Sequence, residues 1–250
     1  MNSDRPDRST IKFRIQIVAV ACGTLFTLLT IIGWLGMAQG LFPVPASLSP
    51  EQTAAYFAEH SLGMRTGCFL YIVGSGLFCI WIAQLGVMLA PIEGRGPVLS
   101  IAGVTAGNGV IAFVMMSCCL WISAAYRADA DADVVVALND AAWHGFLLTW
   151  PALSVQMIST GIVTKMDERE TPLVPRWVTH FSVFCGLAIA MASGPAWAKA
   201  GPFAWNGVLA YYIPMILWAL WFEIHSWYML MALLRERREQ TSAPAGAVPA

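Results

Sequence analysis

Six times along the chain the polar residues thin out for long enough that a helix would cross a ~30 Å hydrocarbon core, which takes about 20 residues. The apolar stretches cover residues 15–37, 65–89, 98–124, 142–164, 177–195 and 207–232. The pattern predicts an all-α fold: a polytopic membrane protein whose six-transmembrane-helix bundle occupies residues 15–234. Segments 1–14 and 235–250 flank it, the latter read as a disordered tail, and no room remains for a soluble domain. The first stretch exceeds the ~7–15 residues of a signal-peptide core, and no small-x-small cleavage site follows near Phe42-Pro43-Val44-Pro45. It is expected to stay attached as a signal anchor.

The segments between the stretches carry structure of their own. Ser49-Pro50-Glu51-Gln52 sets a capping serine before a helix-starting proline, with a glutamine three residues after the serine, and predicts a short helix near 50–60. Asp129, Asp131 and Asp133 precede an apolar run, so an aspartate should cap a second short helix near 134–144 that leads into the fourth span. Residues 195–206 carry Trp197 and Trp205 and read as an aromatic loop at headgroup level. Pro151 and Pro214 should kink the fourth and sixth spans. Gly103 and Gly107, four apart, allow a close helix approach.

Charge gives the orientation. Arg5, Arg8, Lys12, Arg14, Arg95, Lys165, Arg169, Arg176, Arg235, Arg237 and Arg238 fall on one alternate set of connecting segments; Arg65, Arg127 and Lys199 fall on the other. Lys and Arg are retained on the cytoplasmic side, so both termini are expected in the cytoplasm, in a bacterial inner membrane. With 58% hydrophobic and 12% charged residues a soluble surface cannot be built, and a net charge of -1 gives nucleic acid no purchase. The six cysteines lie within apolar runs and read as reduced core residues. Cys118 and Cys119 point to different helix faces.

Ionisable residues at membrane depth are the first candidates for chemistry. Glu223 and His225 lie in the inner half of the sixth span, and His180 lies in the first turn of the fifth, on the same side. Gln84, Asn108 and Gln156 collect at comparable depth, so the six could line a polar pocket, the alternative being interfacial residues and helix glue. Glu223 and His225 project roughly 200° apart on a helix and cannot face one partner together. An outer polar group comprises Glu59, His60, Asn139, Asp140 and His144; His144 is four residues after Asp140, and a metal would need His60 as a third ligand. Two outer and two inner histidines superficially suit a diheme protein, yet the outer pair lies too near water to bury a porphyrin. No Walker loop, HExxH or nucleophilic-serine motif occurs, so ATP-driven transport by this chain alone and the familiar hydrolase chemistries have no support; neither a metal nor another cofactor is expected.

Pro43-Val44-Pro45 leading into Ser49-Pro50-Glu51-x-x-Ala54-Ala55-Tyr56-Phe57, then Arg65-x-Gly67, together with the span layout, resembles six-span bacterial membrane proteins grouped under a domain-of-unknown-function label. That resemblance implies no substrate, cofactor or site residue. The reading from the residues is binding or passage of a small, largely apolar molecule at a polar intramembrane pocket, with membrane lipid as the surrounding partner. The rivals are a membrane-embedded enzyme acting on a lipid or isoprenoid-like substrate with Glu223 as general acid, and a non-catalytic membrane subunit.

Overall fold

The computed structural model describes residues 8–242. Among them every regular element is helical, and six helices are long and apolar enough to cross a membrane. The first span is α1 (Arg8–Leu29), continued by π-helical turns over Thr30–Met37. After a loop come α2 (Pro50–Glu59), α3 (Ser61–Glu93) and α4 (Val98–Tyr126). The fourth span is divided into α5 (Ala132–Leu147) and α6 (Trp150–Lys165). α7 (Arg176–Ala188) tightens into a 3-10 segment over Ile189–Ala196, and π-helical turns over Val208–Tyr212 open α8 (Ile213–Ser242). Each span packs on the next and the sixth closes on the first, so the bundle is a ring. "Inner" and "outer" below follow the orientation expected from the basic residues.

The local signals act as their chemistry requires. The Ser49 side chain accepts from Gln52 N while Gln52 Oε1 accepts from Ser49 N, a complete capping box that starts α2. Asp131 caps α5 by accepting from Asp133 N. α4 begins after Pro97 without a cap of its own, and Glu93 supplies one from the preceding helix. Its carboxylate accepts from Leu99 N and Ser100 N at 2.8 Å each. The two prolines act differently. Pro151 at the start of α6 follows a clean break at Leu148–Thr149, whereas Pro214 follows a wide turn in which Ile213 N donates to Val208 O.

α8 continues through Ser242, so residues 235–242 are helical where a disordered tail was expected. Arg235 donates to Thr171 O and Arg237 to Thr10, tying that turn to two other elements. The rest of the expected tail, residues 243–250, lies outside the described residues, as do residues 1–7 of the expected N-terminal segment.

Aromatic rings fill the ring of spans. Trp34 packs on Tyr71, Trp121 and Phe146 in the outer half, and Phe78, Trp81 and Phe222 pack on one another farther in. The first and second spans meet at glycines: a Cβ on Gly67 would lie 2.3 Å from Gly33 O. Gly103 and Gly107 do the same for α4, where Ser159 and Gln156 of α6 occupy the space a side chain would need. All six cysteines are free thiols; Cys118 is buried, but its neighbour Cys119, expected in the core, is exposed, because successive helical positions point about 100° apart.

Candidate functional site

Spans one and six run antiparallel and are joined at three levels. At the inner end Arg237 Nη2 donates to Thr10 Oγ1 at 3.2 Å, its guanidinium over the Phe13 ring. Farther along, the Thr27 hydroxyl donates to Glu223 Oε1. At the outer end the two π-helical segments meet: Trp34 Nε1 donates to the Tyr211 hydroxyl, which donates to Gly40 O at 2.5 Å. Tyr212 donates to Leu41 O, and Trp205, which the sequence suggested as a headgroup anchor, is buried and donates to Val44 O. Trp197 and Phe203 of the same loop are exposed.

Between the outer latch and the Glu223–Thr27 pair lies a crevice of about 310 Å³. Its walls are apolar, formed by Phe26, Ile31, Leu35, Met215, Ile216 and Trp218 with the faces of Tyr211 and Tyr212. Glu223, Thr27 and Thr30 stand at its border, though the surface they turn toward it is apolar, and the buried Thr30 hydroxyl has no partner among the described residues. An apolar trough with a carboxyl-bearing residue at its border suits a molecule with an apolar body.

The other expected site residues are dispersed. His225 lies on the opposite face of α8 from Glu223, buried against α7, with Nδ1 2.6 Å from Trp221 O and Nε2 3.4 Å from Ser182 Oγ. Because a carbonyl only accepts, Nδ1 carries the proton and Nε2 is the acceptor. Trp221 Nε1 also donates to Ser182 Oγ, so this is a packed structural network. His180 is exposed at the inner end, beside the α6–α7 loop. In that loop the Asp167 carboxylate accepts from Arg169 and from Leu173 N; burial pulls its pKa upward, but these bonds outweigh it and hold the carboxyl below the usual carboxylate range. Asn108 donates to Val104 O of its own helix. Gln84 and Gln156 are buried, and the Nε2 of each lacks a partner among the described residues. The single polar pocket expected from depth is therefore not assembled around Glu223: depth ranks residues along the bilayer normal but carries no azimuth.

The outer group is likewise divided. His60 stacks on Tyr56 and contacts Tyr56 O through Nδ1, and His144 Nε2 lies 3.3 Å from Pro195 O. Asn139 accepts from Trp121 Nε1, and Asp140 lies within electrostatic reach of His144 and Lys199. Among the described residues no three His, Cys, Asp or Glu side chains are grouped to hold a metal. Sequence reasoning passed over Thr27 and Ser182, the partners of Glu223 and His225. Hydroxyls that also bond carbonyls of their own helix, as both do to Gly23 O and Val178 O, leave no trace in hydropathy. No protein-family model matches the chain, and neither a curated protein nor a solved structure is detectably similar to it.

Proposed function

We propose that this multi-pass protein, set in a bacterial inner membrane with both termini cytoplasmic, binds a small, largely apolar molecule in the crevice between its first and sixth spans. The ligand enters from the bilayer, and Glu223 accepts a hydrogen bond from its polar head. The observation that carries the reading is Glu223 itself, a carboxyl group at the end of an otherwise apolar trough, hydrogen-bonded to one threonine. A carboxyl at membrane depth costs at least a few kcal/mol that leucine would not. The general-acid alternative requires a second ionisable group within hydrogen-bond reach, and the partner found there is the Thr27 hydroxyl. A purely structural subunit would have a closed interior, whereas this trough is open.

Glu223→Gln should leave folding intact and weaken ligand retention by about 1.5–3 kcal/mol, roughly ten- to a hundredfold. The measurement is thermal stability together with co-purifying small molecules identified by mass spectrometry. Unchanged values of both would remove the case for the site.

A further inference from the structure

We propose that the crevice is the peripheral of two chambers of one site, and that a second chamber, toward the centre of the bundle, receives a carbonyl tip of the ligand on the side-chain amide of Gln156. The inference rests on the reading that the crevice binds an apolar molecule, and adds the path inward and the chemistry at its end.

The second chamber is a cavity of about 60 Å³ bordered by α3, α4, the end of α5, α6, the 3-10 end of the fifth span and α8. Met215 and Trp218 line both it and the crevice, and are thus the partition between them. The Trp218 ring stands edge-on to Phe26 on the crevice side and to Phe78 on the cavity side, 5.7 Å from each. A methionine beside a tryptophan makes a deformable wall, because the unbranched thioether changes rotamer at little cost. Tyr71 and Phe78 on α3, and Gly107 and Val114 on α4, border the chamber at seven-residue intervals, so it extends about 10 Å along the bundle.

Its polar end is built. Gln156 is 1% exposed, and its Nε2 donates to nothing among the described residues. The hydroxyls of Ser159 and Thr160 bond the Gln156 backbone oxygen and leave the amide free. The amide lies across Gly107, where a Cβ would come within 2.3 Å of Nε2, so the glycine makes room for it at the chamber wall. An unmet buried donor is destabilising, and an acceptor supplied by a ligand removes that cost. The chamber is well below the ~150 Å³ that admits benzene, so it takes a tip of a few heavy atoms. With no counter-charge in its lining, an ionised tip is excluded and a carbonyl fits. The ligand class is an apolar chain with a hydroxyl head for Glu223 and a carbonyl at the other end.

The test uses the full-length protein in lipid nanodiscs and a long-chain ω-hydroxy methyl ketone bearing a diazirine beside its carbonyl, with the chain carrying a methylene there as control. After photolysis, labelled residues are mapped by peptide mass spectrometry. The ketone should label Val110 and Leu153 at least tenfold more than the control, and Gln156→Leu should abolish that labelling while Leu35 and Ile216 in the crevice stay labelled. Labelling confined to the crevice overturns the inference and leaves the proposed function standing; the inner chamber then holds water only. Equal inner labelling by ketone and control overturns the role of Gln156. Absence of labelling in both chambers overturns the proposed function and the inference with it. Should Gln156→Leu fail to fold, Leu153→Trp, which fills the chamber, must abolish labelling of Val110 alone, and unchanged labelling there overturns the proposal.

Discussion

At the scale of single residues, the ionisable groups of the sixth span were legible and their partners were not. Glu223 and His225 stand out because charge is rare at that depth, and their angular separation on a helix already required two different neighbours. Thr27 and Ser182 give no such signal. The Ser182 network is therefore a separate test of what was missed. Its hydroxyl accepts from Trp221 Nε1 and lies against the acceptor nitrogen of His225. Ser182→Ala leaves the Trp221 indole donor unmatched in a buried interface between α7 and α8. An interhelical hydrogen bond in a membrane is typically worth ~0.6 kcal/mol, and the orphaned buried donor raises the expected loss to about 1–2 kcal/mol. Unfolding in detergent should show that loss with co-purified ligand unchanged; lost ligand without lost stability would move His225 from structure to function.

Element boundaries were legible where a local chemical rule sets them. Ser49 with Pro50 and Gln52 is such a rule, and α2 starts where it places the start. The consequence is a stability difference confined to one helix: Ser49→Ala should weaken α2 by about 0.5–2 kcal/mol. Hydrogen exchange should then speed up across α2, for instance at the Gln52 and Thr53 amides, while α3 keeps its protection; uniform protection would mean that packing of Phe57, buried against the bundle, holds the helix unaided. The division of the fourth span was legible only as a proline. That Pro151 sits at a break while Pro214 follows a wide π-helical turn depends on what lies beside each. The turn before Pro214 brings Tyr211 onto Trp34 and Gly40, and a contact between positions 171 residues apart has no local signature.

For the whole molecule, hydropathy gives the number of spans and the basic residues an expected direction, but neither says which spans touch. The closure of span six on span one, which creates the crevice, is long-range packing, and one chain read alone does not encode it in any periodicity. Direction is open to experiment independently of the site. The loop at Asp131 and the α6–α7 loop carrying Arg169 stand at opposite ends of the fourth span. Eleven basic residues lie on the alternate segments that share the side of Arg169, against three on the side of Asp131. Such a bias sets orientation because Lys and Arg near the ends of spans resist transfer across the membrane. Reporter fusions at Arg238 should give a cytoplasmic signal, and insertions within 129–133 an external one. As a check on the same molecule, an impermeant maleimide should modify Asp133→Cys in intact cells and Glu168→Cys only after permeabilisation. The reverse pattern would invert the protein in the bilayer. The crevice and its partition would remain as described, but Glu223 would then stand in the outer half of the membrane.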